Sequence, residues 1–252
     1  MRLNRRQALI GTAGLVAGLG FDPVRGQDLG HDLDQLGIVT NAQPMQLPED
    51  IARAPGITHT NGVGVGPYVA LTFDDGPSVF TDGLLDLLKA RNVRATFFVL
   101  GQSARVQPET IARMKQEGHQ IGNHTWDHPN LTELSDALIQ EQIEQTDILI
   151  IQLTGEPTQL LRPPYGAYDE YVLSVAQLPL ILWSIDPLDW KDRDAEVVAS
   201  RISDAPAGSI ILAHDIHETT VAAIPSVIDS LRGRGIHFVT VSQLLAPQSL
   251  AS

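Results

Sequence analysis

The sequence predicts an α/β fold in which parallel strands and helices alternate around a closed or nearly closed barrel. First, seven short apolar runs are separated by segments with helical periodicity, an alternation that favours a parallel sheet with right-handed crossovers. Second, runs such as Leu180–Trp183 and Ile210–Ala213 are apolar throughout, as is typical of strands buried on both faces. Third, polar side chains follow these runs, and barrel enzymes carry their chemistry at the C-terminal ends of their strands.

The predicted elements begin at Tyr68, where a polar region gives way to regular alternation. At 252 residues the chain is long enough for one large domain with a substantial core. Strands are assigned to short apolar runs bounded by turn residues, and helices to longer periodic segments. The predicted strands are 68–73, 95–100, 120–122, 160–162, 180–183, 209–213 and 237–240. The predicted helices are 82–90, 108–117, 135–153, 170–177, 195–203 and 221–232.

The first 26 residues have the pattern of an export signal. Met1–Arg6 is basic, and Ala8–Leu19 is an uncharged run, shorter than the roughly 20 residues that span a bilayer. The Arg5-Arg6 pair before that run indicates the twin-arginine type. An ordinary secretion signal and an uncleaved tether are the alternatives. The predicted organisation is an export signal over 1–26, a polar linker or wrapping arm over 27–66, and one catalytic domain over 67–252.

Composition limits the partners and the cofactor. The formal net charge is −13, which argues against nucleic acid, because affinity for its backbone comes mainly from Lys and Arg. The chain has no cysteine, so a metal site has to use His and carboxylate ligands. We expect an exported monomer with no stable membrane span, located in the periplasm, outside the cell or in the cell wall.

The strand at 68–73 ends in two adjacent carboxylates, Asp74 and Asp75. Because side chains alternate along a strand, they should point in different directions, one towards a metal and the other towards a substrate. His124 and His128 are four residues apart, a spacing that lets two imidazoles meet at one ion from a helical turn or a tight loop. Taken alone, this four-residue spacing is weak evidence, because it is also typical of histidines at the surface or at helix caps. Together with Asp75 it indicates an open three-ligand site that suits Zn²⁺, with Co²⁺, iron or nickel as alternatives.

Five segments together resemble a known family. They are Thr72-Phe-Asp-Asp-Gly76, His124-Thr-Trp-Asp-His128, Arg162-Pro-Pro-Tyr165, Asp186-Pro-Leu-Asp-Trp190 and Leu212-Ala-His214. In order and spacing they are similar to the five motifs of the polysaccharide deacetylases, carbohydrate esterase family four. The resemblance covers about Tyr68 to Leu245. It implies a distorted, TIM-barrel-like (β/α)7-8 barrel and metal-dependent removal of N-acetyl or O-acetyl groups from a glycan.

The resemblance also implies roles for the motif residues. Asp74 matches the general base, and Asp75, His124 and His128 match the metal ligands. Arg162 matches the partner that keeps the base ionised, and His214 the general acid. We expect Asp189, rather than Asp186, to orient His214. Tyr165 matches the residue whose backbone N–H stabilises the oxyanion, Trp190 an apolar wall, and Leu212 the wall that receives the acetyl methyl.

Within the family, three stretches resemble the peptidoglycan deacetylases more than the acetylxylan esterases. They are Trp183–Lys191, His214–Thr220 and Phe238–Val241. We therefore expect a glycan substrate, with N-acetylglucosamine of peptidoglycan as its acetylated sugar. Chitooligosaccharide deacetylation and acetylxylan esterase activity are the alternatives. An amidohydrolase of small cyclic amides and an inactive glycan-binding barrel are less favoured readings.

Overall fold

The computed structural model describes residues 58–62 and 66–246. The strands of this part are β1 Thr58–His59, β2 Tyr68–Asp74, β3 Thr96–Val99, β4 Gln120–Asn123, β5 Leu180–Ile181, β6 Ile210–Ile211 and β7 His237–Val239. The helices are α1 Thr81–Ala90, α2 Gly101–Val106, α3 Pro108–Gln116, α4 Asp136–Thr154, α5 Glu170–Ala176, α6 Asp189–Asp192, α7 Ala195–Ser203, α8 Glu218–Gly233 and α9 Val241–Leu245. Short 3-10 turns occupy Leu131–Glu133 and Pro164–Gly166.

The strands form a parallel barrel around β2. Strand β2 pairs with three strands. Its C-terminal half pairs with β3, its N-terminal half pairs with β7, and Ala70 and Leu71 at its centre pair with β6. Strand β3 pairs in turn with β4. Single-residue bridges continue this pairing from Asn123 to Leu161, from Leu161 to Leu180, and from Ile185 to Ile211 in β6. The predicted α/β barrel is therefore confirmed, in a distorted form.

Strand β1 lies where the sequence places a linker or arm. Thr58 and His59 pair in parallel with β5. Asn61 forms an antiparallel bridge with Ser209, just before β6, and the Gly62 N–H donates to the Gly208 carbonyl at 2.8 Å. The segment 58–62 thus contacts both β5 and the approach to β6. Residues 1–57, which include the predicted export signal, and residues 63–65 lie outside the described part.

Alternation along β2 separates two apolar clusters and sets up the site. Val69, Leu71 and Phe73 belong to the large cluster that includes α1, α7 and α8. Ala70 faces the other way, into a cluster with residues of β3, β5, β6 and α9. Thr72 and Asp74 share the direction of Ala70, and both are buried. Polar groups therefore enter the barrel at the C-terminal end of its central strand.

Most predicted elements occur within a few residues of their expected bounds. The predicted strand at 160–162 is wrong in extent, because only Leu161 forms bridges and Pro163-Pro164 follow at once. Helices α2, α6 and α9 were not predicted. They have six, four and five residues, too few to produce a periodic pattern. Among the described residues no helix has the length and hydropathy that a membrane span requires.

Candidate active site

A cavity of about 490 Å³ opens at the C-terminal ends of the strands. Eight of the ten residues assigned to the site from the sequence line it, and the other two, Arg162 and Asp189, lie fully buried behind them. The cavity is large enough for a sugar-sized ligand. Its lining consists of Asp74, Asp75, His124, His128, Pro163, Tyr165, Trp183, Asp186, Trp190, Leu212 and His214.

Asp75, His124 and His128 form a candidate metal site. Asp75 Oδ1 lies 3.4 Å from His124 Nε2 and 3.5 Å from His128 Nε2. One ligand atom from each residue lies within 4.8 Å of the others. Asp75 Oδ1 is buried and has no hydrogen-bond partner among the described residues, which is costly unless a cation occupies the space. Two imidazoles and one carboxylate fit a divalent ion with open coordination positions.

The charge of the site favours an ionised Asp75. Burial alone would raise the pKa of this carboxyl group. The favourable interaction with His124, together with the charges of His214 and His128, instead lowers that pKa to about 2. Burial lowers the pKa of His128, and the neighbouring His124 adds to this effect. Both shifts favour the deprotonated forms that bind metal.

The loop after β4 presents the two histidines. Asn123 accepts from the Thr125 N–H at 2.8 Å and donates to Asp147 Oδ1 at 3.1 Å, which ties the loop to α4. Thr125 and His128 have φ values of 71° and 68°, a conformation that costs energy in non-glycine residues and is often found at functional sites. His124 Nδ1 lies 2.7 Å from the Arg162 carbonyl oxygen, so Nε2 is left to face Asp75. The pair therefore converges from a loop and not from a helical turn.

Asp74 points to a different partner from Asp75. Its Oδ1 accepts from Arg162 Nη1 at 2.7 Å, and its Oδ2 lies 3.8 Å from His124 Nε2. Arg162 is fully buried and also donates to Thr72 and to the carbonyls of Ile181 and Leu182. A guanidinium whose three nitrogens are all engaged in this way holds a carboxyl group in a fixed direction. The free oxygen of Asp74 is thereby aimed at the metal site.

His214 lines the same cavity and contacts Asp189. The distance from His214 Nδ1 to Asp189 Oδ1 is 2.8 Å, and the His214 N–H donates to Asp189 Oδ2 at 2.8 Å. Burial lowers the pKa of His214, but the hydrogen bond and charge of Asp189, with the charges of Asp74 and Asp75, outweigh it and raise this pKa to about 9. Asp186 instead accepts from the Leu188 N–H at 2.8 Å. The structure thus places Asp189, and not Asp186, against His214.

Comparison with known proteins accounts for this arrangement. A family model described as polysaccharide deacetylase matches residues 62–179. The crystal structure of the Bc1960 peptidoglycan N-acetylglucosamine deacetylase is 35% identical, with a TM-score of 0.72 over 76% of this chain and 94% of that one. The chain belongs to the polysaccharide deacetylase family. The resemblance seen in the five motifs is therefore confirmed.

Two further family members are similar over the barrel. The peptidoglycan-N-acetylglucosamine deacetylase PgdA of Listeria monocytogenes is 46% identical over 178 residues, and the peptidoglycan-N-acetylmuramic acid deacetylase PdaC of Bacillus subtilis is 43% identical over 178 residues. Each match covers 70% of this chain but only 38% of the relative's length. A solved structure of PdaC has a TM-score of 0.69 and covers 71% of this chain and 92% of that one.

The three residues assigned to substrate contacts line the cavity of this deacetylase-family barrel. Tyr165 is 70% exposed, has a φ of 61°, and packs edge-on against His128 with ring centroids 4.5 Å apart. Trp190 is 49% exposed at the rim, whereas Leu212 is buried in the wall. The ring of Tyr165 therefore lies beside the candidate metal site, and much of the residue is open to solvent.

Sequence reasoning missed several residues of the site. Trp183 and Pro163 line the cavity without an assigned role, although an aromatic residue at a strand end of a barrel is a usable signal. Arg162 packs over the Phe98 ring at 4.1 Å and the Trp183 ring at 5.7 Å, so these rings help to orient the guanidinium. Asp215, directly after His214, is fully buried and has no counterpart among the predictions.

Proposed function

We propose that this protein is a metal-dependent deacetylase that hydrolyses the N-acetyl group of N-acetylglucosamine units in peptidoglycan. The observation that carries the proposal is the convergence of three groups on one cavity. These are the site formed by Asp75, His124 and His128, the Asp74–Arg162 pair, and the His214–Asp189 pair. Amide hydrolysis needs an activated water, a base and an acid, and this cavity has a candidate for each.

Asp75, His124 and His128 would hold the ion, and the donor set favours Zn²⁺. A divalent ion bound there supplies Lewis acidity, which polarises the acetyl carbonyl and makes water a better nucleophile at neutral pH. Asp74 Oδ2 faces this site and takes the proton of the attacking water. Arg162 donates to the other oxygen of Asp74 and fixes the direction of this carboxyl group.

His214, which lines the same cavity, protonates the leaving amine. Its Nδ1 is engaged by Asp189, so Nε2 is the nitrogen available for donation. A pKa of about 9 keeps the imidazole protonated at neutral pH. The Tyr165 backbone N–H stabilises the oxyanion, and Leu212 and Trp190 form the apolar surface that receives the acetyl methyl.

The substrate assignment is supported by the peptidoglycan deacetylases that the chain resembles. The name of the PdaC relative favours N-acetylmuramic acid as a second candidate sugar. Purified protein with Zn²⁺ is incubated with peptidoglycan, chitooligosaccharides and acetylxylan, and acetate release is measured. Mass spectrometry of digested peptidoglycan then identifies the sugar that lost its acetyl group. We expect release from N-acetylglucosamine of peptidoglycan and none from a His128→Ala control. Release only from acetylxylan would contradict the proposal.

We also propose that the protein is exported through the twin-arginine route and works as a monomer. The Arg5-Arg6 pair before Ala8–Leu19 supports export, and a peptidoglycan substrate requires it. Cell fractionation of the wild type and of an R5K/R6K variant tests the route, and light scattering tests the monomer. Unchanged export of the variant would indicate an ordinary secretion signal.

A further inference from the structure

Asp215 joins the strand end that carries His214 to the turn that carries Asp75. The Asp215 side chain is fully buried, and its Oδ2 accepts from Thr81 Oγ1 at 2.5 Å. The Asp215 carbonyl accepts from Ser78 Oγ at 2.7 Å, and the Ser78 N–H donates to Thr81 Oγ1 at 2.7 Å. Residue 215 therefore holds the segment after β2 through both its side chain and its backbone.

Gly76 lies against the same carboxylate. A Cβ atom at this position would overlap both carboxylate oxygens of Asp215. The backbone of Gly76 is not in the left-handed region, so this position needs glycine for space and not for its dihedral angles. Gly76 directly follows Asp75, and the contact therefore reaches the neighbour of a candidate metal ligand.

This arrangement costs stability. Asp215 Oδ1 is buried and has no hydrogen-bond partner among the described residues. Burial raises the pKa of Asp215 to about 7, and the charges of Asp75 and Asp74 add to that effect, against the opposing hydrogen bond from Thr81. An apolar residue of similar size would fill the space without an unsatisfied polar atom. Packing alone therefore does not explain a carboxyl group here.

We propose that Asp215 is a positioning residue, which fixes the turn of Asp75 relative to His214 and so sets the geometry of the metal site. The proposal rests on the proposed function of that site. Asp75 has a φ of 72°, and a strained ligand keeps its direction only when its surroundings hold it. Asp215 fixes this turn through its hydrogen bond with Thr81 and its close contact with Gly76. Residues behind metal ligands typically change metal affinity by about 10–100-fold.

The experiment measures Zn²⁺ affinity by competition with a chromophoric chelator, without glycan. We expect Asp215→Ala to weaken Zn²⁺ binding by about 10–100-fold and to lower kcat with little change in KM, because no cavity-lining residue is altered. Thr81→Val, which removes the donor to Asp215, should weaken binding in the same direction. Asp215→Asn keeps an oxygen acceptor for Thr81 and should retain most of the affinity. Ile202→Val, at a buried position of α7 that does not line the cavity, is the control for general destabilisation.

A double-mutant cycle tests the contact itself. Gly76→Ala should weaken Zn²⁺ binding strongly when Asp215 is present and much less in the Asp215→Ala background, because the overlap is then removed. Additive effects would overturn the proposal, as would an Asp215→Ala variant that binds Zn²⁺ as well as the Ile202→Val control. If Asp215→Ala does not fold, Thr81→Val decides, since wild-type affinity in that variant also overturns the proposal. A wild type that binds Zn²⁺ but releases no acetate would refute the proposed function and leave this inference standing.

Discussion

Asp74 and Asp75 are adjacent in the chain and have separate environments. Asp74 is held by Arg162 inside the barrel, whereas Asp75 turns out towards His124 and His128 at a φ of 72°. Strand alternation produces the first direction, and the positive φ at the strand end produces the second. The candidate base, Asp74, and the candidate metal ligand, Asp75, can therefore be substituted separately.

We predict that Asp74→Asn keeps bound metal but lowers turnover by about 10²–10⁴-fold, the usual contribution of a general base. The amide still accepts from Arg162 but cannot take a proton from water at neutral pH. Zinc content and acetate release measure the two effects. Because Arg162 is fully buried, losing its charged partner also lowers stability, so thermal unfolding is measured to correct for the folded fraction. Near-native turnover with metal retained would move the base elsewhere.

The pair of His214 and Asp189 predicts a pH effect. Asp189 is the main group that raises the pKa of His214, against the lowering effect of burial. A general acid works only while protonated, so activity should fall as pH rises through that pKa, about 9 in the wild type. In Asp189→Asn the pKa is lower, and the alkaline limb of the kcat/KM profile should move to lower pH. Asp186→Asn, which leaves the Nδ1 contact intact, is the control. An unmoved limb in Asp189→Asn would assign that limb to another group.

At the scale of elements, β1 extends the barrel beyond the predicted domain boundary. Two backbone hydrogen bonds of 2.8 Å, from Leu182 to His59 and from Gly62 to Gly208, attach the segment 58–62 to the barrel. Each contributes about 0.5–1.5 kcal/mol. We predict that a variant beginning at residue 67 melts about 2–12 °C below one beginning at residue 58, given about 2–4 °C per kcal/mol for a chain of this size. Equal melting temperatures would show that β1 adds nothing to the barrel.

Elements with a local signal could be predicted, and elements defined by distant partners could not. β2 and α7 follow from an apolar run and a periodic pattern. β1 reads Thr-His and becomes a strand only because β5 offers an edge. Likewise, the motif residues were found because each follows an apolar run. Asp215 also follows one, but its partner Thr81 is 134 positions away, a contact that no local pattern indicates.

At the scale of the whole molecule, the barrel brings the ends of five chain segments to one cavity. β2 supplies the carboxylates, β4 leads to the histidines, and the bridge at Leu161 leads to Arg162. β5 and β6 lead to the Asp189 loop and to His214. Parallel strands place all of these ends at the same rim. The fold therefore positions the candidate groups, and an ion held by Asp75, His124 and His128 would join loops that are far apart in sequence.

An ion that connects these loops should make the thermal stability of the protein depend on metal. An ion held by Asp75, His124 and His128 binds the folded state and not the unfolded chain, so at about 100 times its dissociation constant it should add about 2.7 kcal/mol. For a chain of this size the melting temperature should rise by about 5–10 °C when Zn²⁺ is added to chelator-treated protein. His128→Ala should lose most of this rise, because the site has no fourth protein ligand among the described residues. Asp186→Asn changes an acidic residue of the same cavity that is not a ligand, and it should keep the full rise. A rise of equal size in His128→Ala would place the stabilising ion at another position and refute the ligand set, whatever the activity of the wild type.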